Sequence, residues 1–291
     1  MFVTTGKDLI KICEDKKIAI WEYAYEQEIE NSGLSKEEIW NRMKKNLEVM
    51  KESAEYGLNN KTKSISGLIG GDSYKLNQYV GGRDTLTGNV TVMAMARAVS
   101  CSEVNASMGR VVAAPTAGSC GILPGSLITA AEKLNKDDDD LIKALFTASA
   151  VGNIIAQNAT LAGAEGGCQA ECGSAAAMAS AAIVEMMKGT PKMALDAGAI
   201  VIKNILGLVC DPIAGLVEAP CAKRNMAGAV SALTTADMVM SGITSIVPFD
   251  EVVSAMYKVG KSLPCELRET ALGGVATTET ALKLQKEILG K

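Results

Sequence analysis

The sequence predicts an all-α fold. Of its 291 residues 48% are hydrophobic but only 4% aromatic, and Ala, Gly and 14 Met dominate the small and apolar set. That composition suits closely packed helices better than an aromatic-rich sandwich. Apolar positions recur at helical spacing along most of the chain, and no series of short alternating segments with turn punctuation competes with them. No repeat is visible. The chain reads as one mostly helical domain over residues 1–291, with 1–58 set apart as a candidate N-terminal helical lobe.

In order, Leu9, Ile10, Ile12, Ile18, Ile20, Trp21 and Tyr23 fall at helical spacing between Gly6 and Ser32. Ser35 followed by Glu38 is a capping box, and it starts a helix through Trp40, Met43, Leu47 and Met50. Residues 59–87 change character: the segment KTKSISGLIGGDSYKLNQYVGGRDTLTG holds six glycines and reads as a ligand-facing loop or a mobile excursion. Residues 89–112 form an apolar helix. The loop AAPTAGSCGILPG at 113–125 then precedes the helical SLITAAEKL. Backbone N–H groups there, with the Thr116 and Ser119 hydroxyls, make a candidate carboxylate pocket. The acidic run 137–140 begins another helix, where negative charge meets the positive end of the dipole. Pro191 sits in the first turn of a helix over 190–208. Further helices are expected over 225–242, 249–261 and 277–289.

The net charge of −4 leaves no basic footprint, which argues against nucleic acid as a partner. The most apolar windows are broken by Glu185 or Lys203 before the roughly 20 residues that a membrane span needs. The N-terminus lacks a signal-peptide pattern, so a cytoplasmic chain is expected. There is no histidine. Ser-His-Asp, Cys-His and His-ligated zinc chemistry within this chain are therefore excluded.

Four of the eight cysteines, Cys168, Cys172, Cys210 and Cys221, fall between Gly163 and Asn225. Three of them sit in Gly- or Pro-punctuated turns, where thiols read as ligands of a soft metal rather than as core volume. Cys168 and Cys172, four apart, can share one side of a helical turn. No CxxC pair exists, so a zinc ribbon or finger is excluded, and the compact spacing of ferredoxins is absent. The chemistry allows a cluster held by thiolates from separate loops. Three thiolates on a four-iron cluster would leave one iron open to act as a Lewis acid.

The segments ISGLIGGDSYK, AAPTAGSCGILPG, AEGGCQAECG, LVCDPIAGLVEAPCAKRN and LPCELRETALGG occur in that order. Together they resemble the iron–sulfur-dependent L-serine dehydratases (L-serine ammonia-lyases), and in particular the alpha subunit of the two-subunit form, over nearly the whole length. The resemblance implies a [4Fe–4S] cluster on Cys168, Cys210 and Cys221, with no pyridoxal phosphate; Lys75 gives only a weak Schiff-base signal. The family usually has no cysteine at the position of Cys172, which is assigned to packing, as are Cys13 and Cys101 in their helices. Cys120 lies in the carboxylate loop. The resemblance also implies elimination of water from L-serine to give pyruvate and ammonia. Thr116, Gly118 and Ser119 would take the substrate carboxylate, and Asp72 and Lys75 would fix the substrate or close the pocket. Arg224 and Asn225 would support the cluster from behind. A separate beta subunit is expected to bring the histidine this chain lacks. Some single-chain members carry a C-terminal cysteine that meets the fourth iron. The end LQKEILGK has none, so inhibition by the tail is not expected, and Cys265 is the nearest alternative. The competing readings are a cysteine desulfidase, a non-catalytic iron–sulfur or thiol-binding protein, and a pyridoxal-phosphate enzyme.

Overall fold

Thr5 accepts a hydrogen bond from the Asp8 amide and starts α1 (Gly6–Lys16) in the computed structural model, which describes residues 3–290. Lys17 adopts a left-handed φ of 55° and stops it, so the stretch to Ser32 is two helices, the second being α2 (Ile20–Ser32). In its own first turn Glu22 reaches back to accept the Ala19 amide at 2.8 Å, which leaves the next two amides of α2 to a distant partner. Glu185, far along the chain, accepts from Ile20 N at 2.6 Å and Trp21 N at 3.1 Å. α3 (Lys36–Asn59) begins at the expected capping box: Ser35 Oγ accepts from Glu38 N at 3.2 Å and Glu38 Oε2 accepts from Ser35 N at 2.9 Å.

The Gly-rich segment contains a helix the sequence did not reveal, α4 (Asp72–Gly82). Gly71 has no side chain to cap it. The buried Glu103 reaches across and accepts the Asp72 amide at 2.6 Å, and Ser73 is buried where its hydroxyl donates to Ala96 O at 2.9 Å. α5 (Asn89–Ala106) ends before residue 112, because Met108 turns left-handed and the Gly109 amide closes back on Val104 O at 2.8 Å. α6 (Ile122–Leu134), α7 (Asp138–Asn158, capped by Asp137), the single turn α8 (Gly163–Gly166), a π-helical turn over Gln169–Gly173, α9 (Ser174–Met186) and α10 (Pro191–Asn204, capped by Thr190) follow. α11 (Cys221–Met240) starts earlier than the expected residue 225, which puts Cys221 at its first position. α12 (Phe249–Ser262) and α13 (Glu279–Leu289) close the chain. Among the described residues there is no named strand, so the all-α expectation is met.

Two helices act as hubs. α9, with the sequence SAAAMASAAIVEM, is buried nearly all round and packs on α6, α7, α10 and α11; a helix apolar on every face belongs inside. α5 does the same for α3, α4, α6 and α11. Small residues set the spacing: a Cβ on Gly121 would lie 2.0 Å from Ala98 O, so only glycine lets α6 start against α5. Fully buried side chains such as Ile122, Leu127 and Ile154 each contribute about 1.5–3 kcal/mol by leaving water. Among the described residues no helix is long and apolar enough to cross a membrane.

Candidate active site at the buried thiols

The cysteine segments meet where α9 and α11 begin. Gln169 is fully buried and pins the first of them: its Nε2 donates to Gly166 O and Met256 O, both at 3.0 Å, and its Oε1 accepts from Gly207 N at 2.9 Å. The wide π turn that follows brings the Cys172 sulfur to 3.4 Å from the Cys168 sulfur. Cys210 is fixed through its backbone, which donates to Leu267 O at 2.9 Å and accepts from Glu269 N at 2.7 Å, forming a parallel bridge with Arg268. Cys221 follows the turn Ile213–Gly215, whose Ile213 amide closes on Ala219 O at 2.9 Å.

Glu171 joins the thiols to the proposed carboxylate loop. Its Oε1 accepts the Thr116 hydroxyl at 2.7 Å, and its Oε2 lies 4.0 Å from Cys210 Sγ. Two glycines make room for it, since a Cβ on Gly118 or Gly163 would lie 2.9 or 2.6 Å from its carboxylate oxygens. The Thr116 and Ser119 hydroxyls are 3.2 Å apart. Asn225, nearly fully buried, ties the same loop to Cys221: Nδ2 donates to Gly118 O at 2.7 Å and Cys221 O at 3.0 Å, and Oδ1 accepts from Gly121 N at 2.9 Å. Arg224 donates to Val209 O and to Asp211 Oδ1, each at 2.8 Å, so it braces the Cys210 segment. Asp211 Oδ2 in turn accepts the Val275 amide at 2.7 Å.

The electrostatics confirm that these groups feel one another. Burial pushes the Cys221 thiol up to about 12, with Cys168 and Glu171 adding and Arg224 opposing. Burial also raises Cys210, helped by Cys168 and Glu171. Cys168 moves the other way: its hydrogen bond with Cys172 outweighs burial, and the Arg224 guanidinium favours its thiolate. Burial raises the Glu171 carboxyl against the pull of its Thr116 hydrogen bond. All eight cysteines are unbridged, and seven, all but the exposed Cys265, are buried. Among the described residues no three Cys, Asp or Glu side chains are grouped so as to hold one metal ion. Arg268 keeps a buried Nε–H with no partner among the described residues.

Asp72 and Lys75 stand apart from the thiols. They border an open cleft with Lys61, Lys63, Tyr74 and Lys223. Asp72 pairs with Lys75 at 2.9 Å and, more closely, with Lys223 in the first turn of α11. Burial opposes ionisation of Asp72, but the hydrogen bonds from Lys223 and Lys75 hold its carboxyl below the usual range. Lys75 is 73% exposed along its side chain and is held charged by Asp72.

Comparison with known proteins places the chain. Residues 15–276 match the family model described as serine dehydratase alpha chain. A protein of Bacillus subtilis named probable L-serine dehydratase, alpha chain, is 50% identical over 284 residues, covering 98% of this chain and 94% of its own. The L-serine dehydratase, alpha chain, of Peptoniphilus asaccharolyticus is 46% identical over 287 residues, covering 99% and 98%. The chain belongs to the serine dehydratase alpha-chain family. That membership bears out the resemblance read from the five segments, and with it the expectation of an enzyme, a lyase. A longer protein of Helicobacter pylori named L-serine dehydratase is 33% identical over 285 residues, which are 94% of this chain but 61% of that protein.

Within this family member, sequence reasoning overlooked Glu171. It lies inside the quoted segment AEGGCQAECG, three residues after Cys168, but that spacing does not reveal its distant partner Thr116. Lys223 and Asp211 were also missed; each follows a cysteine by one or two residues.

Proposed function

We propose that this chain is the alpha subunit of a [4Fe–4S]-dependent L-serine ammonia-lyase, which eliminates water from L-serine to give pyruvate and ammonia. The observation that carries the reading is the meeting of three buried thiols from separate segments beside a loop of hydroxyls, in a chain without histidine. The names of the relatives support the same reaction. Cys168, Cys210 and Cys221 would hold the cluster. The donor set fits such a group: the thiols are soft and unbridged, and the segment bridged to Cys210 carries a buried Arg268 Nε–H that has no partner among the described residues. A bound cluster supplies Lewis acidity at the iron without a protein thiolate, favouring departure of the substrate hydroxyl.

Thr116, Gly118 and Ser119 orient the substrate carboxylate. Thr116 already donates to Glu171, so an incoming carboxylate competes with that side chain for the same hydroxyl. Asn225 keeps the loop at a fixed distance from Cys221. Asp72 and Lys75 act from the edge, where the tie between Asp72 and Lys223 links the Gly-rich segment to the helix that begins at Cys221. Abstraction of the α-proton calls for a base, and no imidazole is available here. A separate beta subunit supplies it, a role that the extra length of the Helicobacter pylori relative would fill within one chain. Eight free thiols support a reducing compartment, the cytoplasm.

The test is anaerobic reconstitution with iron and sulfide, with and without the beta subunit, assaying pyruvate from L-serine and from L-cysteine. C168A, C210A and C221A should each lose the cluster, while C172A keeps it. Loss of the cluster in C172A as complete as in the other three would overturn the ligand set. Full turnover of L-serine by the loaded alpha chain alone would overturn the need for a partner, and a preference for L-cysteine would make the enzyme a desulfidase.

A further inference from the structure

Cys172 has no role in the reaction proposed above, yet it is placed as closely to Cys168 as two reduced thiols normally come. The π turn over Gln169–Gly173 sets the two sulfurs 3.4 Å apart. A disulfide bond is about 2.05 Å long, so the two sulfurs, four residues apart in the chain, must close by about 1.4 Å. A second observation gives small molecules a route. A cavity of about 220 Å³ is lined by Cys172, Ala176, Val201, Ile205 and Gly228, with the exposed Ala227 among its walls. Apart from Arg224, Ser231 and the thiol itself, its lining is apolar or backbone. It borders Cys172 among α9, α10 and α11 and so gives an uncharged oxidant an approach to that thiol.

We infer that Cys168 and Cys172 form a reversible intramolecular disulfide in the cluster-free chain when it meets a peroxide. One thiol attacks the peroxide, breaking the O–O bond, and becomes a sulfenic acid with release of one water. The second thiol attacks that sulfur, the S–S bond forms, and the sulfenic oxygen leaves as a second water carrying the remaining proton. Hydrogen peroxide is reduced to two waters and the two sulfurs are oxidised, with no further reactant. The bond keeps Cys168 at a level that thiols can reverse, in place of the sulfinic and sulfonic acids that they cannot. The pairing stands on geometry alone. Its consequence, that the oxidised chain cannot take up a cluster until reduced, rests on Cys168 being a ligand.

The test uses the full-length cluster-free chain, treated anaerobically with a slight excess of hydrogen peroxide and then alkylated and digested without reductant. The expected result is an intact chain lighter by about 2 Da before alkylation, the mass of two thiol hydrogens, and a digest in which Cys168 and Cys172 are joined as the dominant linkage. Dithiothreitol should restore the original mass and most of the iron uptake. In C172A the same treatment should leave Cys168 as sulfinic or sulfonic acid, and dithiothreitol should not restore iron uptake. A dominant bridge between any other two cysteines, or none in the wild type, overturns the pairing. Normal iron uptake by the bridged chain would leave the disulfide standing but remove Cys168 from the ligand set, so the two failures are separable.

Discussion

Glu171 is the residue on which the two halves of the candidate site depend. Its partly buried carboxylate is shared between the Thr116 loop and the Cys210 segment. T116V leaves that carboxylate without its hydroxyl donor, which costs about 0.5–1.5 kcal/mol for the lost hydrogen bond. Chemical denaturation of the cluster-free chain should register the loss, and if the hydroxyl positions the substrate as proposed, the KM for L-serine should rise more than kcat falls. E171Q keeps the shape but removes the charge that competes for Thr116, so it should tighten substrate binding relative to the wild type; an increase in KM would count against the competition. The thiols were legible in the sequence because glycines and prolines mark their turns. Glu171 was not, since its partner lies 55 residues away and a pattern of spacings carries no information about which loops pack together.

Elements of this fold borrow their ends from one another. α2 takes its N-terminal acceptor from Glu185 on α9, and α4 takes its own from Glu103 on α5. Where a cap is local, as at Ser35, Asp137 and Thr190, the helix start was legible; where it comes from elsewhere, the start or the whole helix was not. Burial holds the Glu185 carboxyl above the usual range, with the Thr147, Ile20 and Trp21 hydrogen bonds pulling it down. A group whose pKa is higher folded than unfolded gives most stability below the unfolded value and loses it as pH rises through the folded one. E185Q should therefore flatten the fall in unfolding free energy above about pH 4.3, the unperturbed Glu value, while lowering stability overall because the amide nitrogen that replaces one carboxylate oxygen cannot accept, leaving either the Ile20 or the Trp21 amide without its acceptor. An unchanged slope with pH would show that another group carries it. Gly121 sets a harder limit: G121A drives a methyl group into Ala98 O, and α5 and α6 must separate, so little soluble protein is expected.

For the whole molecule, the first 58 residues are the open question of cooperativity. Leu9, Ile20, Ile39 and Leu47 belong to the same buried cluster as Ile154, Ala177 and Leu195. Both tryptophans, Trp21 and Trp40, lie in this segment and pack against Lys143 and Phe146 of α7, so their fluorescence reports on the segment and its seat on α7 while far-ultraviolet circular dichroism reports on every helix. We propose that the two signals follow one coincident denaturant transition, as a two-state unit requires; an earlier fluorescence transition would define a separate lobe. The parallel bridge at Cys210 has a further consequence, in time rather than in space. Its partners, Leu267, Arg268 and Glu269, are made after every one of the cysteines proposed as ligands has been synthesised. A nascent chain ending short of residue 267 thus carries all three thiols but not the clamp that fixes one of them. Iron delivered during synthesis would meet an unformed receptacle, so maturation should wait for release of the finished chain from the ribosome. Chains truncated after residue 262 should accordingly retain less iron than full-length ones under identical reconstitution.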